Sequence, residues 1–462
     1  MDRKEEWRRL DRLRGAGLAV LWGRRRVGKT RLLVEWSRAR DALYTVADLS
    51  AETIQRRYFA EAIASRVPGF AEAVYPDWRA LFNALARAAA AGRVPGPIII
   101  DELPYLITTC PSLPSTLQAF VDHEAQAAGL LLVVAGSSQH MMHGLVLDAS
   151  APLYGRAQAA FEILPLSAGY LGEALGLDRA TDVVGAYALW GGIPRYWEMA
   201  ESFGADIDTA VAELVLDPAG PLHREPDRLL ADEQPNATVL RPILDAIGAG
   251  AHRLSEIASR IGRPASALSR PLRALQDLGL VRREVPYGVS PKTSKRSLYR
   301  IADPFLRFWF RVVAPRRGLL VAAPPSTRIA VWSKHKPHLL AEAWEELCRR
   351  AVPHLGPSLD ADGPFGPATR FWWGNEPEWD IVAESVDGTT LLLGECKWFH
   401  EPATEKLLDR TYRELARKGV PKVVAGKHQR IIHVVFVPEA PPAAAKRPYV
   451  IVEAQDVLAA LR

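Results

Sequence analysis

Three features follow one another without a gap near the start of the chain: the apolar run Leu18-Ala-Val-Leu-Trp22, the string Gly23-Arg-Arg-Arg-Val-Gly-Lys-Thr30, and Thr30-Arg-Leu-Leu-Val-Glu-Trp36 with apolar residues at helical spacing. A buried strand, a loop fitting G-x-x-x-x-G-K-[ST] and an amphipathic helix in that order commit this region to a βα unit of a parallel sheet. Gly23 and Gly28 let the backbone of Arg24, Arg25, Arg26 and Val27 turn so that successive N–H groups point at one anion. The helix N-terminus adds its partial positive charge. The expectation is a nucleotide site in which Lys29 reaches the β- and γ-phosphates and the Thr30 hydroxyl ligates Mg²⁺.

Such a metal needs a second partner at the tip of a neighbouring strand. Ile98-Ile-Ile100 followed by Asp101-Glu102 supplies one. Asp101 suits the metal shell, and Glu102 suits polarising an attacking water.

Strands and helices alternate onward through Tyr44 to Ala47, the alanine-rich segment Trp78 to Ala91, Ile98 to Ile100 and Leu130 to Ala135, the rhythm of a parallel sheet covered by helices. The strand ending at Ala135 runs into Gly136-Ser137-Ser138 at the sheet edge where ligands bind, so Ser137 or Ser138 is expected to sense the γ-phosphate, with a helix cap as the alternative. Arg156, in Leu153-Tyr-Gly-Arg156, has the character of a finger on a neighbouring copy's γ-phosphate or of a surface ion pair. From Pro165 the pattern is helical through Leu214, broken by Trp190-Gly-Gly-Ile-Pro194-Arg195, where Arg195 is assigned a second-sensor role.

At 462 residues the chain exceeds a single core, which stops growing near ~250 to 300 residues. Its three cysteines, Cys110, Cys348 and Cys396, fall in no C-x-x-C pattern, which argues against a disulfide framework or a structural zinc site. No apolar stretch is long enough to cross a membrane and the first residues are charged, so no membrane association and a cytoplasmic location are expected.

The net charge of +5 is unevenly spread: residues 241–300 hold twelve Lys and Arg against four Asp and Glu. After a Pro- and charge-rich connector from Leu216 to Asn236, three helical patterns and a basic hairpin have the spacing of a winged helix-turn-helix. DNA is the partner this implies. Ser266, Ser269, Arg270 and Arg273 are expected on the third helix, with Arg282, Lys292, Lys295 and Arg296 on the wing. Pro271 should kink that third helix, and Asp303 to Phe310 reads as a core-forming docking helix.

Pro-rich turns from Pro315 to Pro325 mark a further boundary, followed by a separate α/β unit. Glu378-Trp-Asp380 and Leu391-Leu-Leu-Gly-Glu395-Cys-Lys397 would form two strands of a hairpin, bringing two carboxylates and an amine together. That set suits a metal-dependent phosphodiesterase: Asp380, Glu395 and the Cys396 carbonyl on Mg²⁺, Lys397 on the water, and Glu345 from an upstream helix completing the acids. A surface hairpin with a Glu395–Lys397 salt bridge is the alternative, although such charges beside Leu391 to Leu393 are awkward to bury. Trp372-Trp373 is expected in the core.

Taken in order, the Gly23 to Thr30 loop, Ile98 to Glu102, Gly136 to Ser138, Tyr154-Gly-Arg156, Gly191 to Pro194, the winged helix and the Asp380, Glu395 and Lys397 set resemble the prokaryotic "archaeal ATPase" family. That family is a STAND-like branch of the AAA+ ATPases, many of whose members carry a C-terminal restriction-endonuclease-like domain. Arg3-Lys-Glu-Glu6 resembles the family's Arg-Glu-x-Glu entry, which would lie near the adenine. The resemblance implies ATP as the nucleotide, Asp101 and Glu102 in the Walker B role, and Asp380, Glu395 and Lys397 in the PD-(D/E)xK role, while Trp344-Glu345 replaces the family's more usual Phe-Glu.

The expected fold is therefore α/β: a P-loop AAA+-type parallel sheet over residues 1–165, a helical lid and connector over 166–235, a winged helix-turn-helix over 236–312, a linker over 313–337 and a restriction-endonuclease-like domain over 338–462. Two functions fit: an ATPase coupled to a Mg²⁺-dependent nuclease-like domain acting on DNA, or an ATP-dependent regulator that binds nucleic acid or protein through the winged helix and carries a vestigial nuclease domain. A homo-oligomer is implied only if Arg156 works in trans.

Overall fold

The strand β1 (Gly17–Trp22) is wholly buried, as are β3 (Ile98–Asp101) and β4 (Leu131–Gly136), and near-continuous apolar runs of this kind belong to parallel strands covered on both faces. With β2 (Leu43–Val46) and β5 (Ala157–Glu162) they form one five-stranded sheet in the order β2-β3-β4-β1-β5, every pair parallel. The computed structural model describes residues 3–233, 237–292, 294, 296–359, 363–399, 401–442 and 447–462. They fall into two compact units, residues 3–165 with 231–233, and residues 166–230 with 237–462.

In the first unit, helices Lys29–Ala39, Glu52–Ala64 and Trp78–Ala90 cover the sheet. Trp78 stacks on Phe82, and Phe82 on Phe120, at centroid distances of 5.7 and 5.0 Å. Because all five strands run the same way, their C-terminal tips, including Trp22, Asp101 and Gly136, share one edge, which is where a ligand can meet several loops at once.

In the second unit, the helices Ala237–Gly248, Leu254–Ile261 and Ala265–Asp277 precede the antiparallel pair β6 (Val281–Glu284) and β7 (Leu298–Ile301), a winged helix-turn-helix. Helix Ala265–Asp277 buries Leu268, Leu272 and Leu275 and continues through Pro271. A second sheet has the order β12-β11-β10-β9-β8, built from β8 (Thr369–Phe371), β9 (Trp379–Glu384), β10 (Thr390–Cys396), β11 (Arg430–Phe436) and β12 (Val450–Val452). β9 and β10 pair antiparallel, whereas β10 and β11 are parallel and joined across the helix Glu405–Arg417.

Two expectations about connectors are corrected. The stretch 313–337 is helical: Arg317–Ala322 is one helix, and Pro325 opens the 27-residue helix Pro325–Ala351. Proline is tolerated in a first helical turn because its missing N–H has no partner there in any case. The connector after Leu216 likewise contains the helix Glu225–Glu233. The segment Pro304–Phe308 and the following Trp309 and Phe310 are buried, the core role expected of them.

Candidate functional site

The loop leaving β1 is shaped by its two glycines. Gly28 sits at φ 94° as the N-cap of helix Lys29–Ala39, a left-handed backbone that glycine adopts without strain. Gly23 has φ 154°, and a Cβ there would collide with the Ile163 carbonyl. Arg26, between them, also has positive φ, at 69°. The loop side chains are anchored around it: Arg25 donates to the Tyr105 hydroxyl at 2.7 Å, and the buried Lys29 ammonium donates to the Gly23 and Arg24 carbonyls at 2.7 and 3.2 Å. Arg3 clamps the outside, donating to the Val27 carbonyl at 2.6 Å, to the Leu164 carbonyl at 2.8 Å and to Glu6 at 2.7 Å.

The strand tips complete the site. The Thr30 hydroxyl donates to Asp101 Oδ2 at 2.8 Å, and the Tyr44 hydroxyl donates to the same oxygen at 2.9 Å. Burial, followed by the charge of Asp101, pushes the Tyr44 phenol far above its ordinary pKa, so it stays a donor. Glu102 occupies the left-handed region at φ 55°, uncommon for a residue with a side chain. Its Oε2 accepts from the Ser137 backbone N–H at 3.1 Å and from the Ser137 hydroxyl at 2.7 Å. Hard oxygen donors from Thr30 and Asp101 side by side, beside a loop that presents backbone amides, are the chemistry a magnesium nucleotide requires.

Within the first unit, two expected residues lie elsewhere. Ser138 caps helix Gln139–Val146, accepting from the Met141 N–H, so Ser137 alone meets Glu102. Arg156 precedes β5 and pairs with Asp122 at 2.7 Å. Leu18 is in register with Ala157, so Arg156 lies at the N-terminal edge of the sheet. The phosphate loop is at the other edge, about 17 Å away at ~3.3 Å per residue, which rules out a contact within the same chain. Arg195, in the second unit, is exposed and pairs with Glu198 at 3.0 Å.

A second acidic site lies on β9 and β10. Gly394 pairs with Ile381, so Asp380 and Glu395 flank that register position on neighbouring strands. Asp380 Oδ2 accepts from the Cys396 N–H at 3.0 Å, and the Lys397 ammonium donates to Glu395 Oε1 at 2.8 Å. Burial first, then the charges of Glu395 and Glu345, push the Asp380 carboxyl up to about 6. Glu345 itself pairs with Arg349 at 3.4 Å, and Arg349 also donates to the Asp380 carbonyl at 3.2 Å. Lys418, just past helix Glu405–Arg417, pairs with the other oxygen of Glu395. Neither Arg349 nor Lys418 was anticipated, and Lys418 has no local signal because only the fold brings it back to β10. Among the described residues, no group of three or more His, Cys, Asp or Glu stands ready to hold a metal.

The basic segment divides. Arg270 and Arg273 on helix Ala265–Asp277 and Lys292 on the wing are exposed, Arg273 pairing with Asp277 at 3.1 Å. Arg282 instead points inward, to Glu346 at 2.7 Å and Glu284 at 2.8 Å, so it is not free to contact nucleic acid as expected. Arg307 joins Glu346, while Arg300 and Arg311 meet Glu342 at 3.0 and 3.3 Å, forming a buried ion network between the winged helix and helix Pro325–Ala351. Arg296 lies 3.9 Å from the ring centroid of Trp373, which is exposed rather than in the core, and the Tyr287 N–H donates to the Arg370 carbonyl at 2.9 Å. The wing is thus seated on the C-terminal sheet unit. Lys295 lies outside the described residues.

Comparison with known proteins agrees with the first unit. Residues 1–200 match the family described as an ATPase domain predominantly from Archaea, residues 242–285 the IclR helix-turn-helix domain, and residues 309–408 a family of archaeal and bacterial proteins of unknown function. The Methanocaldococcus jannaschii protein MJECL04, described as uncharacterized, is 29% identical over 423 residues, 91% of each chain. The Walker-type ATPase paby2304 of Pyrococcus abyssi has a TM-score of 0.52 at 21% identity, over 67% of this chain and 96% of that one. The ORC2 protein of Aeropyrum pernix, solved in ADPNP–ADP complexes, has a TM-score of 0.44 at 14% identity, over 73% and 95%. Among the described residues, no helix is long and apolar enough to cross a membrane. The family match, the Walker-type fold and the strand-tip geometry together identify residues 1–200 as similar to P-loop ATPase domains, with a nucleotide-binding site, followed by a winged helix-turn-helix.

Proposed function

We propose that ATP binding and hydrolysis at the Gly23–Thr30 loop switches a Mg²⁺-dependent nuclease-like unit that acts on DNA. On the ATPase side, Lys29 leaves its two carbonyl partners for the phosphates, Thr30 and Asp101 would hold Mg²⁺, and Glu102, fixed by Ser137, orients the attacking water. The metal would supply charge neutralisation on the phosphates. Tyr44 and Arg3 are positioning residues, one fixing the Asp101 carboxylate and the other the back of the loop.

The single observation that supports the nuclease half is the buried pairing of Asp380 with Glu395 across β9 and β10, with Lys397 on Glu395. Two crowded carboxylates, one of them with its pKa raised to about 6, form a site that a divalent cation would relieve. Asp380 and Glu395 would hold Mg²⁺, which would polarise the phosphodiester. Lys397 would orient the water that adds to phosphorus as the ester P–O bond breaks, the leaving oxygen taking a proton. Arg270, Arg273 and Lys292 would contact DNA phosphates.

The test is cleavage of single- and double-stranded DNA with Mg²⁺ or Mn²⁺, with and without ATP. Cleavage lost in Lys397→Ala and altered in Lys29→Ala is expected. Intact ATP hydrolysis with no cleavage under any condition would instead favour an ATP-dependent regulator that binds DNA or protein. The lysines on both oxygens of Glu395 and the lack of a ready three-ligand metal group favour that second reading.

A further inference from the structure

Within the second unit lies a cavity of about 740 Å³ between β6, β8, the C-terminal half of helix Pro325–Ala351 and the last residues, 460–462. Its size falls in the ~300 to 1,000 Å³ range of small-molecule sites. Its charge is lopsided, with six arginines on its walls against two glutamates. Four of the six meet carboxylates: Arg282 on Glu284 and Glu346, Arg349 on Glu345, Arg462 on Glu173, and Arg370 on Glu378 and, at 4.0 Å, on Glu284. The other two do not. Arg350 donates to the Tyr187 hydroxyl at 2.7 Å and Arg283 to Ser297 and to the Pro291 and Ser294 oxygens, and neither has a carboxylate within 4.0 Å among the described residues. Both are exposed, although they line the cavity. Arg370 pairs with Glu378, yet its Nε is buried with no hydrogen-bond partner.

Guanidinium groups crowded in one concavity repel one another and leave donors unsatisfied, both of which an anion corrects, and the planar fork of arginine fits phosphate best. The half-buried Trp372 on the same wall provides a flat surface for a ring. We infer that this cavity binds a nucleotide, with its phosphates on Arg283, Arg350 and Arg370 and its base against Trp372. This site is separate from the ATP loop, whose residues all lie in the first unit. Arg349 lines the cavity and also holds Glu345 and the Asp380 carbonyl, so the wall of the cavity adjoins the acidic site.

The test uses the full chain in EDTA, titrated calorimetrically with the 5′-phosphorylated diadenylate pApA. Micromolar binding is expected in wild type and unchanged in Lys29→Ala, which disables the ATP loop. Arg350→Ala, which removes only the bond to Tyr187, should weaken binding at least about tenfold, or ~1.4 kcal/mol, with the unfolding temperature retained, and Arg283→Ala should weaken it further. A DNA strand of about 20 nucleotides, longer than the ~4 to 16 a single-strand fold covers, separates the two sources of this chemistry. Failure to compete assigns the site to a free nucleotide, and competition lost in Arg350→Ala assigns it to the end of a strand. Absence of pApA binding at millimolar concentration, binding indifferent to Arg350→Ala, or binding lost with Lys29→Ala would each overturn the inference.

Discussion

Replacing Asp380 by asparagine removes a buried charge while keeping an oxygen that can accept from the Cys396 N–H, so it isolates the electrostatic burden of the acidic site. The Asp380 carboxyl is raised from the ordinary 3.8 to about 6 by burial and by Glu395 and Glu345. Below about pH 4 the folded group is protonated and the unfolded one, at 3.8, is only beginning to ionise, so little penalty has accrued. As pH rises from about 4 to about 6 the unfolded chain ionises while the folded chain resists, so stability that a neutral residue would keep is lost across that window, and the loss levels off above about 6. A shift of about two units at ~1.36 kcal/mol each puts the loss near 3 kcal/mol at pH 7 and above. Asp380→Asn should therefore unfold at nearly the wild-type urea concentration at pH 4. It should be more stable by up to about 3 kcal/mol at pH 8, read from the fluorescence transition of the unit containing the neighbouring Trp379. Equal stabilities at pH 8, or a variant weaker at both pH values, would refute the claim that these carboxylates crowd one another in the folded chain.

Other outcomes follow from the same contacts. Ser137→Ala keeps the backbone N–H on Glu102 and loses the hydroxyl, so ATP turnover should fall about tenfold with ATP affinity unchanged, a split visible in steady-state kinetics. Glu346→Ala removes the carboxylate that Arg282 and Arg307 share, leaving them Glu284 and Glu342, and should lower stability by about 3 kcal/mol in denaturant unfolding. In DNA-binding titrations against salt, Arg270→Ala should reduce the slope of log affinity by about 1, while Arg282→Ala should leave the slope as it is and register only as lost stability.

The parts of this chain that are legible in its sequence are those whose chemistry is local. Gly23 to Thr30 is contiguous, its glycines are required by backbone angles, and the flanking strand and helix announce themselves by period. Asp380 and Glu395 are almost as readable, since a hairpin brings its own two strands together. Charge was misread where direction mattered: the excess of bases over residues 241–300 is plain, but Arg282 and Arg300 are answered by Glu346 and Glu342 from a helix more than forty residues on. Prolines at 315, 324 and 325 punctuate helix starts as readily as turns, and here they do the former. Tyr44, Lys418 and Arg349 enter their sites only through strand order and helix packing, which no window of sequence contains.

The central claim is that the Gly23–Thr30 loop, Asp101 and Glu102 form a working ATPase centre. Its most direct test is ATP binding and turnover by the purified chain, its Lys29→Ala variant and its Glu102→Gln variant. Lys29→Ala should lose binding by at least about tenfold, and Glu102→Gln should bind ATP as wild type does while turnover falls by about 100-fold. Turnover that survives Lys29→Ala, or wild-type protein that binds no ATP, would contradict it.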